Sequence, residues 1–179
     1  ALGYGALKQN TTGNGNIALG NGALDANTEG GYNVAVGGLG SNTTGDYNVS
    51  VGNLALSLNT TGNNNIAIGA KALMSNTTGG NNVAIGYEAL SNNTTANQNS
   101  ALGYGALKLN TTGLENSAVG SGALYSNTTG SYNSAFGGSA LYSNTTGEFN
   151  TASGIGSMFL NTTGSYNAAF GNRALYSNT

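Results

Sequence analysis

Asn127-Thr128-Thr129-Gly130-Ser131-Tyr132-Asn133-Ser134-Ala135-Phe136-Gly137-Gly138-Ser139-Ala140-Leu141-Tyr142-Ser143 is one 17-residue copy of the unit from which the whole chain is made. With the Asn of each Asn-Thr-Thr as phase one, copies begin at Asn10, Asn27, Asn42, Asn59, Asn76, Asn93, Asn110, Asn127, Asn144 and Asn161, and Asn178 opens an eleventh. The spacing is 17 residues everywhere except between Asn27 and Asn42, where it is 15. A short fixed period without a helical heptad predicts a solenoid, in which each coil stacks on its neighbours because it cannot bury its apolar side alone.

Within the unit, Asn is followed by Thr in every copy, then by Thr or Glu29, then by Gly or Ala96. This is turn chemistry, since Asn bonds its own backbone and Gly adopts positive φ without a steric penalty. Phase seven is always Asn (Asn16, Asn33, Asn48, Asn65, Asn82, Asn99, Asn116, Asn133, Asn150, Asn167) and opens an alternating run such as Asn65-Ile66-Ala67-Ile68-Gly69, which predicts a short strand. The central Ala is replaced only by Ser50. Small residues between larger flanks predict that one strand face is closely approached and the other faces a thin core. Phase eleven is Gly in every copy, from Gly3 to Gly171, and marks a second corner. A second short strand is expected after it, centred on Ala-Leu pairs such as Ala89-Leu90, with Ser157-Met158 as the variant. In the copy beginning at Asn27 this stretch shortens to Gly38-Leu39-Gly40-Ser41, so a kink or trimmed corner is expected there.

The expected fold is all-β: a flattened parallel β-roll of about ten coils with two short strands each, spaced about 4.8 Å apart in a rod of about 48 Å. About three sizeable apolar side chains per coil make a thin core, so backbone ladders and stacked identical side chains must contribute much of the stability. The two Asn columns are the natural ladders, because a primary amide donates to one neighbour and accepts from the other. The same thinness predicts that the segment associates with itself, as a parallel homotrimer or a laterally bundled filament. Abundant Gly and Asn resemble a disordered composition, yet apolar residues kept to fixed phases argue for order.

The 179 residues include 31 Gly but no Pro, Cys, Trp or His, with four Lys plus Arg against six Asp plus Glu. Without His or Cys there is no basis for a Ser/His or Cys/His nucleophile or a zinc site, and the chain is read as non-catalytic and free of cofactors. Lys8, Lys71, Lys108 and Arg173 are too scattered to neutralise a row of phosphates, so nucleic acid is not an expected partner. No apolar run approaches the roughly 20 residues of a membrane-spanning helix, so the segment itself is not expected to insert into a membrane. The chain starts in phase nine and stops in phase two without a polar cap, which reads as one repetitive segment, 1–179, cut from a longer array.

The run Asn-x-Ala-x-Gly-x-x-Ala, seen as Asn82-Val83-Ala84-Ile85-Gly86-Tyr87-Glu88-Ala89, resembles the head repeat of trimeric autotransporter adhesins, and the match covers every coil. The full unit, with Asn-Thr-Thr-Gly and Ala-Leu-Tyr-Ser, is also similar to repetitive segments of bacterial and phage proteins that end in a tail-fibre chaperone domain. The resemblance implies a left-handed roll, three copies side by side, on a cell surface or virion. The adhesin head coil is shorter, and the extra residues here lie in the Asn-Thr-Thr-Gly corner.

Phase six is often aromatic (Tyr32, Tyr47, Tyr132, Phe149, Tyr166), as is phase sixteen toward the C-terminal end (Tyr125, Tyr142, Phe159, Tyr176). Stacked coils turn these into columns that either bind glycan or protein, or cover corners and seams between protomers. The Thr-Thr columns raise an ice-binding reading, against which stands their adjacency in a corner, and the Asn-Thr-Thr triplets match a glycosylation sequon but read more simply as turns. Asp25 and Asp46 lie at different phases, as do Glu29, Glu88, Glu115 and Glu148, so no calcium column or carboxylate pair is expected. The functional expectation is a structural and adhesive fibre segment of a bacterial surface adhesin, extracellular and multivalent, with a tail-fibre shaft and an ice-binding solenoid as alternatives.

Overall fold

A computed structural model describes residues 1–178; Thr179, the second residue of the eleventh copy, lies outside the described residues. The chain winds into a parallel β-solenoid with one three-residue strand per coil: β1 (Ile17–Leu19), β2 (Val34–Val36), β3 (Val49–Val51), β4 (Ile66–Ile68), β5 (Val83–Ile85), β6 (Ser100–Leu102), β7 (Ser117–Val119), β8 (Ser134–Phe136), β9 (Thr151–Ser153) and β10 (Ala168–Phe170). They form one sheet in sequence order, and Leu2 adds a bridge to Leu19 at its start. Pairing follows the repeat, Ala67 opposite Ala84 and Ala84 opposite Ala101, so every phase becomes a column along the rod.

The expected second strand is not formed. The Ala-Leu segment is a run of tight turns in which Leu or Met at phase fifteen takes φ between 48° and 61°. Phases six and thirteen are also left-handed, as at Tyr132 (φ 59°) and Ser139 (φ 55°). This explains a feature of the sequence: none of these three phases ever carries Val, Ile or Thr, whose branched Cβ fits the left-handed region worst. A true core strand would accept Val or Ile where this chain uses only Leu and Met. The turn still ladders to the next coil, Leu56 N–H donating to Ala72 C=O at 2.9 Å.

The interior is narrower than the expected three large side chains per coil. The small central residue of each strand points inward and is buried, as is the Ala of phase fourteen, and only one long side chain, Leu or Met158, fills each coil. The flanks of the strand point outward: β1 is exposed-buried-exposed, and Ile68 and Leu102 are 38% and 48% exposed. The central Ala is therefore used up in the core and offers nothing to a sister chain. Two opposed Ala columns bring the walls so close that a larger residue at either phase would have no room.

The other half of the interior is amide. The phase-one Asn side chains form an unbroken ladder, each donating to the Oδ1 of the copy before it, from Asn27 to Asn10 at 2.8 Å through to Asn178 to Asn161 at 3.0 Å. Each also closes its own corner, as Asn127 does by donating to Gly130 C=O at 2.8 Å. The phase-seven Asn lies across the same corner: the Asn116 side chain donates to Gly130 C=O at 2.9 Å and accepts the Asn133 N–H at 3.0 Å. Asn133, Asn116 and their equivalents in the inner coils are fully buried, and amides are buried without penalty only when satisfied in this way.

Gly at phase four leaves room for this double acceptor, because a Cβ on Gly62 would lie 2.4 Å from both Asn59 Oδ1 and Gly79 C=O. Ala96 is the exception, and the corner stretches around it. Thr94 N–H to Thr111 C=O is 3.3 Å where the other copies keep 2.8 to 3.0 Å, and the Asn110 to Asn93 rung is 3.1 Å. The Thr95 N–H has no backbone acceptor among the described residues, whereas Thr61 N–H and Thr129 N–H each reach one at 3.2 Å. Amide hydrogen exchange should therefore find Thr95 at least about tenfold less protected than Thr61 or Thr129.

At the 15-residue copy the sheet does not kink. β2 pairs with β3 in the common register, Ala35 opposite Ser50, and Leu39 keeps its place in the buried Leu column. The two lost residues come from the corner after Gly37, so Gly38 occupies the inward phase normally held by Ala. A Cβ there would lie 2.2 Å from Ser50 Oγ, which donates to Ala55 C=O at 2.8 Å. Gly38 and Ser50, the one non-Ala at its phase, thus compensate each other in the core.

Candidate functional site

Surface chemistry on a rod of this kind is set by which phases turn outward. The strand flanks make two parallel outward columns along one face. In β1 to β5 both columns are aliphatic, from Ile17 and Leu19 to Val83 and Ile85. From β6 onward the first column becomes Ser100, Ser117, Ser134 and Thr151, while the second keeps Leu102, Val119 and Phe136 before Ser153 and Phe170. Nine strand spacings of about 4.8 Å make this stripe about 43 Å long. Ile17 is 58% exposed, Phe136 46% and Phe170 72%, so the stripe is wet in the single chain, and contiguous apolar surface of this extent marks an interaction site more often than not.

The aromatic columns stack as the sequence suggested. At phase six, Tyr32 and Tyr47 lie 5.1 Å apart between ring centroids, and Tyr132, Phe149 and Tyr166 form a second run at 4.8 and 5.0 Å. At phase sixteen, Tyr125, Tyr142, Phe159 and Tyr176 form a run of four at 5.0 to 5.2 Å. The centroid distances match the coil spacing, so the backbone ladder holds the rings in contact, each pair contributing roughly 0.5 to 1.5 kcal/mol beyond its burial. The two columns differ in character: Tyr166 is 78% exposed, whereas the phase-sixteen rings are only partly exposed. A third pair, Tyr87 and Tyr104 at 5.5 Å, lies between residues 48 and 124, where the other two columns are interrupted. Its signal was present, since both rings occupy phase twelve.

The scattered charges also converge. Glu88 holds Lys71 Nζ at 3.4 Å and Lys108 Nζ at 2.7 Å. Lys71 and Glu88 share phase thirteen on successive coils, and Lys108 reaches back from phase sixteen of the next. The hydrogen bond from Lys108, foremost, keeps the Glu88 carboxyl below its usual value, and Glu88, followed by Tyr125, pushes the Lys108 ammonium up. Lys108 also sits 5.4 Å over the Tyr125 ring, and Lys71 sits 6.0 Å over Tyr87. Both cations thus lean on Glu88 and on a neighbouring ring, Lys108 more closely than Lys71, whose side chain stays 40% exposed.

The phase-two Thr hydroxyls turn inward along the ladder, Thr111 Oγ1 donating to Thr128 C=O at 3.0 Å, which leaves one Thr of each pair free to face water in a hydroxyl array. The Asn of the inner Asn-Thr-Thr triplets is fully buried with its amide bonded twice, so the turn reading holds and a glycan cannot be attached there in the folded chain. Among the described residues no three of Asp, Glu, His or Cys stand together as a metal-binding group, and no helix is long and apolar enough to cross a membrane. The chain matches no protein-family model, no curated protein and no solved structure.

Proposed function

We propose that this chain is a rod segment of an extracellular fibre on a cell or virion surface, assembled as a parallel homotrimer and acting without catalysis as an adhesive stalk or head of a surface adhesin. The observation that carries the reading is the outward apolar stripe, double-columned over β1 to β5 and continued by Leu102, Val119 and Phe136. A single chain has no use for outward aliphatic columns on seven successive strands, β1 to β7, and identical chains in parallel would meet through identical phases on every coil. A closed cyclic assembly is the way such a contact terminates without leaving an open face. With the stripes turned toward the shared axis, the exposed aromatic columns at phase six remain on the outside. There, many weak contacts to glycan or protein would sum to useful avidity.

Sedimentation velocity on the purified chain tests the assembly: three times the chain mass is expected at micromolar concentration. Ile68→Ser together with Ile85→Ser should release folded, β-rich monomers, because both side chains point away from the coil core. A native chain that sediments as a folded monomer would overturn the assembly. Beads carrying the segment test the adhesive role. Retention on a glycan- or protein-coated surface should rise more steeply than in proportion to copy number, and Tyr132→Ser with Tyr166→Ser should lower it.

A further inference from the structure

We infer that the trimmed corner of the 15-residue coil is a binding notch for one acetamido group, the N-acetyl substituent of an amino sugar. The peptide that joins phase twelve to phase thirteen is a link in a hydrogen-bonded column along the rod. Its N–H donates to the same peptide of the coil before, and its C=O accepts from that of the coil after. Lys71 N–H thus meets Asn53 C=O at 2.9 Å, and Glu88 N–H meets Ala70 C=O at 3.1 Å. The column runs unbroken from Arg173 N–H and Ile155 C=O back to Lys71 and Asn53, and Gly22 N–H to Tyr4 C=O continues it at 2.9 Å on the other side of the trimmed coil. The two residues lost after Gly37 are phases twelve and thirteen, so this one coil lacks the linking peptide. Asn21 C=O and Leu54 N–H, which that peptide would have joined, have no protein partner among the described residues. Between them lies a cavity of about 250 Å³, lined also by Asn53, Ser57 and the backbone of Gly37 and Gly38.

What is missing defines what fits. The slot needs a donor for Asn21 C=O and, one carbon away, an acceptor for Leu54 N–H. A trans carboxamide is that pair, since every coil without the deletion places a peptide there. A carboxylate has no proton to give, an ammonium or guanidinium has no lone pair, and a single hydroxyl or water reaches only one wall of a gap that two atoms normally span. Both walls are also primed. Gly22 N–H and Asn53 C=O, the other halves of the same two peptides, are already bonded, and hydrogen bonds in a chain polarise one another. A passing peptide strand is a poorer fit than an amide that ends in the slot. The ladder is intact at Gly37, which donates to Leu19 C=O at 2.9 Å, and again at Leu39, which donates to Ala55 C=O at 3.2 Å, so a continuing chain has no exit along the coil. An acetamido group ends in a methyl, and the notch has room for one: within 4 Å, a Cβ on Gly37 would meet only Gly52 C=O, at 3.8 Å. Its other end carries the sugar ring toward solvent. There the exposed Asn53 amide can bond ring hydroxyls, and Leu54, 44% exposed, offers an apolar face to the ring C–H groups.

The purpose of the notch rests on the adhesive reading above, but its occupancy does not: binding is read on the purified chain in solution, apart from the tyrosine-dependent retention that tests adhesion. A ¹⁵N-labelled chain is titrated with three probes. They are the methyl glycoside of N-acetylglucosamine, the methyl glycoside of glucose, which carries a hydroxyl in place of the acetamido group, and N-methylacetamide, which carries the amide without the ring. The first is expected to shift the Leu54 amide in a saturable way and to slow its hydrogen exchange. The other two should bind at least about tenfold more weakly, one for want of the amide hydrogen bonds and the other for want of the ring contacts. Inserting Ser-Gly between Gly37 and Gly38 restores phases twelve and thirteen, so the chain's own peptide should fill the slot, raise the melting temperature and abolish the shifts. The site is overturned if the N-acetylglucosamine glycoside leaves Leu54 unmoved, if the glucose glycoside binds equally well, or if binding survives the insertion. N-methylacetamide binding as tightly as the glycoside would overturn the assignment to a sugar.

Discussion

Replacing Asn116 with Ala is expected to lower the stability of the solenoid by about 3 to 5 kcal/mol, the largest effect of any single side-chain truncation in the interior. Three consequences combine. Asn133 N–H, at a fully buried position, loses its acceptor at 3.0 Å, and Gly130 C=O loses one of its two amide donors. A cavity also opens beside the Ala columns, where the walls cannot collapse because the backbone ladders hold the coils apart. Asn116→Asp is a sharper test, since the new oxygen would face Gly130 C=O at 2.9 Å and Asn99 Oδ1 at 3.2 Å with no hydrogen to offer. Burial beside two acceptors raises the pKa of that carboxyl in the folded state. The variant should therefore be least stable at neutral pH and recover as pH falls below the folded value, where the protonated acid can donate again. Asn172→Ala, on the exposed phase-twelve edge, should change stability by less than about 0.5 kcal/mol. Chemical unfolding of the three variants at pH 7 and of Asn116→Asp at pH 4 checks the argument. A loss at Asn116 no larger than at Asn172 would remove the amide ladder from the account of stability.

The parallel roll and its two amide ladders were legible because they rest on absolute regularities, Asn at phases one and seven and Gly at phase eleven. A buried amide with two obligatory partners admits no substitute, so the sequence records it without exception. The second strand was misread because Ala-Leu is equally an apolar pair in a strand and in a turn. What separates the two is an absence, that of β-branched residues at phases six, thirteen and fifteen, and absences stand out only when each phase is inspected as a column. The orientation of the true strand was hidden for a related reason. Large flanks around a small centre normally point to a core under the flanks, but here the opposing wall is another Ala column and only the small residue fits. Convergence of Lys71, Glu88 and Lys108 could have been found by comparing charges of opposite sign across coils. The trimmed corner was visible as a missing pair of residues, whereas its compensation is split between Gly38 on one coil and Ser50 on the next, which only the folded chain brings together.

Gly137→Ala should cost about 3 kcal/mol or more, although it adds a single methyl group at the surface corner of one coil. Two independent penalties act there. Gly137 has φ 130°, outside the left-handed well that Leu, Tyr and Ser occupy elsewhere in the coil, and no L-residue takes it without strain. A Cβ would also lie 2.7 Å from Gly154 C and 2.8 Å from Gly154 O, backbone atoms of the next coil that cannot turn away as a side chain can. Relief requires the coils to separate at this corner, and the bond from Gly137 N–H to Val119 C=O at 2.8 Å and that from Gly154 N–H to Phe136 C=O at 2.8 Å resist it. The fitting comparison is Ser139→Ala two residues on, where φ 55° already accommodates a Cβ and the change should stay within about 0.5 kcal/mol. Valine would blur the contrast, because a branched Cβ is strained at φ 55° as well. Because each coil couples only to its neighbours, the damage should be local: exchange protection should fall in the coils beginning at Asn127 and Asn144 while that near Asn59 is retained. Equal melting temperatures for Gly137→Ala and Ser139→Ala would show that the corner can relax, and that the Gly found there in every copy answers to something other than backbone geometry.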